Sequence, residues 1–558
     1  MKYAIVVDAG SSGSRAHIYS WQNPSTLAKS RSYMIPIESH PEWVVKVNPG
    51  ISTYVGDSRK NIWAQHLRPL LEQAFVAIPR QQRSETPVFF LATAGLRLLN
   101  ADDRTALLGD VCSLLKSKTS FHVGDCSRYV QMIDGEMEGL YGWIGLNYLI
   151  HSRNDALWLQ GDFEQTYGFM DMGGASAQIA FCPNATESER HHDDLYTVSL
   201  RTNTGEAVKW RLFVTTWLGF GANQASKRWS QLLVDGASPE ELDPIKSGSP
   251  LVLHDPCLQF GAIRQTQTTV GDNQAVDTMF YGQGDFAQCE ARLELLLNNN
   301  KSCKDDPCLF NGVHVPAFDL NVQKFVGVSE FWYAAEDLFG LDGKFHYDAF
   351  LNHVNQFCKR DWESVERDWV DGKLKFDLDR DHLQLACFRS TWVLTVLHKG
   401  FGFPLDPKDV NAKHDFLDVF QSVSTINNNE VTWTMGKAIM FASSQIASTQ
   451  GGQVGIVSDQ GAIMTEEGIL VTTEGSTLWM VVLGILAIVG IAGWIIQGPA
   501  GTRLMRLISR FYKTDRDYLP VAVEMVNMTG VSSSIPPSRA PSRVASRLNI
   551  YSMNEQHD

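Results

Sequence analysis

Two rhythms of apolar and polar positions alternate along residues 1–455. Short runs of β-branched and aromatic residues, Tyr3–Val7, VFFLATAG at 88–95 and YGFMDMGG at 167–174, end in small residues and read as buried strands. Helix-period stretches lie between them, and this βα rhythm predicts layered α/β structure. IDGEMEGLYGWIGLNYL at 133–149 reads as a helix, yet it places Gly135, Gly139, Gly142 and Gly145 at three- and four-residue steps. Each interior glycine costs about 1 kcal/mol against alanine. The stripe therefore predicts a helix face pressed close against a neighbour. A chain of 558 residues is too long for one core, and two or more domains are expected.

The pattern changes at Thr477–Ile496, where TLWMVVLGILAIVGIAGWII carries no charge. At about 1.5 Å per residue this run crosses roughly 30 Å, a hydrocarbon core. Trp479 and Trp494 suit interfacial anchoring. Arg503, Arg506, Arg510, Lys513 and Arg516 follow the run, whereas Glu466, Glu467 and Glu474 precede it. The expectation is a single span with a cytosolic C-terminus. Residues 457–476 read as a stalk and 497–558 as a disordered cytosolic tail, solvated or offered to regulators. MKYAIVVDAG shows no n-region, h-region and cleavage site, so the route of the N-terminal part across the membrane is left open.

YAIVVDAGSSGS and YGFMDMGGASAQ repeat one design: an apolar strand, an Asp, a Gly turn, then small hydroxyl residues. Two copies predict duplicated halves facing a shared cleft. Gly10 and Gly13 let backbone N–H groups approach a ligand, while Ser11, Ser12, Ser14 and Arg15 add donors. Such a nest binds phosphate oxygens. Gly173, Gly174, Ala175 and Ser176 repeat it. Neither turn is a Walker A loop. Asp8 and Asp171, opposed, would hold the waters of a divalent metal. LATAGLR at 91–97 is either an ordinary βα turn or a third source of donors through Thr93, Gly95 and Arg97. Glu138, beside the smooth glycine face, is a candidate to take a proton from an attacking water. Glu136 reads as a solvated or capping acid.

The net charge of −14 argues against a nucleic-acid partner. Nine cysteines without a C-x-x-C pair, together with the sequon at Asn184, point to an oxidising, glycosylating compartment. Being odd in number they leave one thiol over, assigned to Cys182. HHDD at 191–194 reads either as a metal-binding cluster or as a solvated loop.

DAGSSGSR, ATAGLR, the E-G-x-Y-G-W stretch and DMGGASAQ, in this order, resemble the first four signature regions of the apyrase, or nucleoside triphosphate diphosphohydrolase, family; WTMG at 433–436 resembles the fifth. The single C-terminal span is similar to the fungal Golgi branch. The resemblance implies two RNase-H-like lobes of the actin/Hsp70/sugar-kinase superfamily, 1–160 joined by 435–456 and 161–434, with nucleotide in the cleft between them. It implies hydrolysis of terminal phosphates from GDP, UDP, ADP and ATP with Ca²⁺, Mg²⁺ or Mn²⁺, in the Golgi lumen in support of glycosylation. Glu138 would be the base and Gln178 would orient the water. Ser12, Gly13, Ser14, Arg15, Gly174 and Ser176 would contact phosphate, with Thr93 nearby, and Asp8 and Asp171 would hold metal-bound waters. Trp433, with Trp332 or Tyr333, would form an aromatic slot for the base, unless these rings belong to the core. Cys303/Cys308, Cys358/Cys387, Cys257/Cys289 and Cys112/Cys126 resemble the family's disulfides. Two other readings use the same fold: a polyphosphate phosphatase or kinase, and a nucleotide-gated binding protein with slow turnover.

Overall fold

The first apolar run extends beyond its predicted bounds into β1 (Lys2–Ala9), which turns through residues 10–13 into the antiparallel β2 (Ser14–Trp21). β3 (Val88–Ala92) lies parallel to β1, and β4 (Val130–Met132) lies parallel to β3. The second repeat builds the same unit. β5 (Tyr167–Met172) forms a hairpin with β6 (Ser176–Phe181), β7 (Lys324–Ser329) lies parallel to β5, and β8 (Phe420–Ser422) lies parallel to β7. Strand order is therefore β2-β1-β3-β4 in a six-stranded sheet and β6-β5-β7-β8 in an eight-stranded one.

This computed structural model describes residues 1–465 apart from 28, 152–157, 161–165, 272–273, 304, 344–346, 375–378, 405–418, 450–452 and 459–462. Met1–Thr473 form one unit. The expected span at Thr477–Ile496, most of the stalk and the tail fall outside the described residues. Among the described residues, no helix is long and apolar enough to cross a membrane.

Alternation along the strands sorts side chains into three cores. Ile5, Val7, Val88 and Phe90 pack under helices Arg68–Ala77 and Ala101–Lys118. Ala4, Val6, Phe89 and Leu91 face a middle core shared with Phe169 and Ala180 of the second sheet. Met170, Ile179 and Phe181 face a third core with α2 (Ala222–Asp235). Two helices fill the middle core: α1 (Gly135–His151), the predicted glycine-striped helix, and α3 (Trp433–Ser444).

The stripe has the reason expected of it. A Cβ on Gly135 would overlap Thr216, one on Gly139 would stand 2.7 Å from Val214 Cγ2, and one on Gly142 would overlap the Phe169 ring. On Gly145 it would stand 2.9 Å from the Thr432 carbonyl oxygen, where α3 begins. The helix is thereby seated on the second sheet, and its first turn, carrying Glu138, reaches the ends of both hairpins.

Candidate functional site

The two hairpin turns meet face to face. A Cβ on Gly174 would stand 2.7 Å from Ser11 Oγ and 3.2 Å from Ser12 Oγ, so the missing side chain lets the two turns approach without moving these hydroxyls. Gly95 supports the first turn from behind, since a Cβ there would lie 2.8 Å from Ser11 Cα. Its part is to seat the loop. Asn223, in the first turn of α2, closes the second side: its backbone N–H donates to Gly174 O at 2.8 Å and its Nδ2 to Ser12 Oγ at 3.4 Å. Ser14 departs from expectation. It is fully buried at the start of β2, and its hydroxyl is engaged with His66 Nε2 at 2.7 Å. The serine side chains available to a ligand in this turn are therefore Ser11 and Ser12.

Three carboxylates converge on the turns. Asp8 stands opposite Arg15 and Asp171 opposite Gln178 in the two hairpin registers. Burial pushes the Asp8 carboxyl up to about 7, with Arg15 opposing and Asp171 and Glu430 adding repulsion. Burial likewise raises Asp171, against a hydrogen bond from Ser329. Asp8 Oδ1 and Asp171 Oδ1 are both buried without a hydrogen-bond partner. Such an all-oxygen pair fits a hard divalent cation held through its waters, because the cation would supply both the missing partners and the missing charge.

Glu138, 8 % exposed, completes the group. Arg97 Nη2 donates to its Oε2 at 2.5 Å. Burial pushes Glu138 up to about 8, Arg97 pulls it down, and Asp171 and Asp8 push it up again. Gln178 Nε2 faces Glu138 Oε2 at 3.3 Å, Ser176 Oγ at 2.7 Å and Thr216 Oγ1 at 3.2 Å. These contacts fix the amide, and its buried Oε1 has no protein partner. A carboxylate and an amide oxygen thus stand together, both able to accept from one water.

The aromatic residues divide. Tyr333 turns its hydroxyl to the site, accepting from Arg15 Nη2 at 3.0 Å, while Arg15 Nη1 donates to Glu430 Oε1 at 3.2 Å. Trp332 is half-buried behind Gly343. Trp433 is a core residue, 3 % exposed, and hydrogen-bonds the Asp8 carboxylate. Burial at the start of α3 closes its ring to a ligand, so an aromatic slot including Trp433 does not form. Sequence reasoning missed Asn223, Ser329, Glu330, Arg389 and Glu430. Arg389, buried, donates to Glu330 Oε2 at 2.7 Å and to Asn223 Oδ1 at 2.5 Å, holding the amide that touches Ser12. Ser329 carries a φ of 58°, a strained value for serine. It ends β7 where Thr93 follows β3, so extending the repeat to the third strands would have found it.

Cys112–Cys126, Cys257–Cys289, Cys303–Cys308 and Cys358–Cys387 are disulfide-bonded, and Cys182 is a buried free thiol. Asn184 is half-buried and N-caps helix Ala185–Arg190, accepting from Glu187 N at 2.9 Å.

Comparison with known proteins gives concordant results. Residues 1–454 match the GDA1/CD39 (nucleoside phosphatase) family. The chain is 40% identical to a Golgi apyrase of Saccharomyces cerevisiae over 82% of its own length and 73% of that protein's. A Golgi apyrase of Schizosaccharomyces pombe is 38% identical, covering 80% of this chain and 76% of the relative. The nucleoside-diphosphatase mig-23 of Caenorhabditis elegans is 32% identical, with coverage of 78% and 76%. Among solved structures, a nucleoside triphosphate hydrolase from Neospora caninum superposes with a TM-score of 0.50 at 13% identity, covering 79% of this chain and 92% of that one, a likeness of fold.

Proposed function

From the premise that this chain belongs to the GDA1/CD39 nucleoside phosphatase family, and so is an enzyme hydrolysing nucleotide phosphate anhydrides, we propose the following substrates, site and place of action. The substrates are nucleoside di- and triphosphates, GDP, UDP, ADP and ATP, cut stepwise to monophosphates. The setting is the Golgi lumen, where glycosyltransferases release nucleoside diphosphates; the names of the yeast relatives support this. A C-terminal helix at 477–496 anchors the enzyme, and its cytosolic tail is open to regulators. The nucleotide lies between two RNase-H-like lobes, 1–160 with 435–456 and 161–434, a division supported by the shared strand order of the two sheets.

The observation that carries this reading is Glu138, buried beside Arg97, Gln178 and two carboxylates that each keep one oxygen without a hydrogen bond. Glu138 accepts one proton from water while Gln178 Oε1 accepts a hydrogen bond from the hydrogen that stays on the oxygen, aiming the oxygen lone pair at the terminal phosphorus. The new P–O bond forms as the bridging P–O bond breaks, releasing phosphate and a nucleotide one phosphate shorter. Backbone N–H groups of Ser12–Gly13 and Gly174–Ser176, the Ser11 and Ser12 hydroxyls and Thr93 hold the phosphates. Asp8 and Asp171 would hold a Ca²⁺, Mg²⁺ or Mn²⁺ through its waters, and the cation when bound offsets phosphate charge. Tyr333 and Trp332 are the aromatic candidates for the base.

The test is phosphate release from GDP, UDP, ADP, ATP and inorganic polyphosphate with each cation in turn. The reading expects cleavage of the nucleotides and its loss in EDTA. Cleavage of polyphosphate alone would overturn it.

A further inference from the structure

A second polar cluster lies away from the turns. Helix Ala185–Arg190 ends at His191, and the turn that follows presents Asp194. His314 reaches the same place from strand Val313–His314, which pairs with Cys308–Leu309 beside the Cys303–Cys308 disulfide. One ligand atom from each of His191, Asp194 and His314 lies within 4.8 Å of the others, and the two imidazole centroids are 4.6 Å apart.

The protonation logic of this cluster is unbalanced. His314 Nδ1 faces two carbonyl oxygens, Asp305 O and Pro307 O, each at 2.9 Å. Nδ1 therefore carries the proton, and in the neutral ring Nε2 is a bare lone pair. That Nε2 is buried without a hydrogen bond, and Asp194 Oδ2 stands 3.7 Å from it. His191 Nε2 is also buried without a hydrogen bond, with Glu187 Oε2 at 3.5 Å; its side chain is 10 % exposed and that of His314 13 %. Two imidazole nitrogens, neither of them hydrogen-bonded, thus converge with a carboxylate oxygen.

We propose that His191, His314 and Asp194 form a second cation site, of zinc type, which clamps the 191–194 turn to the disulfide-bonded hairpin. Two imidazole nitrogens and a carboxylate are a zinc donor set, whereas the oxygen pair Asp8/Asp171 suits calcium or magnesium. Ligand atoms around a tetrahedral zinc stand roughly 3.3 Å apart, so small rotations of the Asp194 and imidazole side chains close the cage. Glu187 Oε2, which already accepts from Ala317 N at 3.0 Å, or a water takes the fourth position. A backbone carbonyl bonded to the far nitrogen of His314 is the usual outer support of a metal-bound histidine. The site is structural, held apart from the hydrolytic turns, and is independent of the substrate proposed above.

The test uses the full-length chain in detergent, stripped with EDTA, and Zn²⁺ alone as the probe in equilibrium dialysis with excess Ca²⁺ present. One zinc equivalent is expected, weakened at least about tenfold in His191→Gln and in His314→Gln. Co²⁺ in the wild-type chain supplies a readout that needs no variant: visible bands of a nitrogen-ligated, low-coordinate ion are expected. Absence of a calcium-resistant zinc equivalent would overturn the proposal. So would an equivalent unchanged in both variants while they still release phosphate, or a Co²⁺ spectrum of an all-oxygen octahedral ion.

Discussion

Arg97 and Glu138 form the most consequential pair at the scale of single residues. Glu138 must be ionised to take a proton, and burial holds it at about 8 even with the guanidinium 2.5 Å away. Removing that positive charge raises the carboxyl further. Arg97→Met should therefore shift the acid limb of the kcat–pH profile to higher pH by about 1–3 units, with the deficit largest at low pH. A limb that stays in place would separate the limb from Glu138. Trp433 offers a second discrimination. Its hydrogen bond favours the ionised form of Asp8, so Trp433→Phe should raise the cation concentration needed for half-maximal rate by about tenfold while leaving the preference among nucleotide bases unchanged. A ring stacked on the base would give the opposite result. The sequence motif marked Trp433 as functional but could not tell stacking from support, because that depends on burial at the start of α3.

At the scale of elements, the glycine-striped helix converts a local cost into placement. Gly142→Ala would press a methyl group into the Phe169 ring and should lower stability by about 1–3 kcal/mol, read by thermal unfolding with ligand absent. Gly109, exposed within helix Ala101–Lys118 with nothing within 4 Å of a built Cβ, is the control. There alanine should raise stability by about 0.5–1 kcal/mol. The contrast separates glycine used for contact from glycine that merely softens a helix. The stripe, the strands and the repeated turn were legible because each follows from spacing within one short segment. Asn223, Glu330 and Arg389 were not, since they reach Ser12 as a relay from three distant segments. Ser14 was misread for a related reason: its hydroxyl and that of Ser12 are equivalent in the turn's sequence, and only the pleat of β2 turns Ser14 inward to His66.

At the scale of the whole molecule, two copies of one strand unit bring Asp8 and Asp171 together, and the pair has a signature in stability. Asp8 moves from an ordinary 3.8 to about 7 on folding, and Glu138 from 4.5 to about 8. A raised folded value means stability that is present below the ordinary value and lost as pH rises through the folded one. In EDTA these acids should lower the melting temperature as pH climbs from about 4 to about 8. Ca²⁺ or Mn²⁺ should raise it more at the alkaline end than at the acid end. Asp8→Asn with Asp171→Asn should remove that difference, as differential scanning fluorimetry would record. The four disulfides and the buried thiol predict that peptide mapping under native conditions finds Cys182 unlabelled, and as the thiol that reacts after unfolding. The central claim is that Glu138 activates the water, and the kcat of Glu138→Gln on GDP and UDP at saturating cation tests it most directly. A fall of about 10²–10⁴-fold is expected, with binding of a non-hydrolysable nucleotide retained. A variant that turns over at the wild-type rate would contradict it.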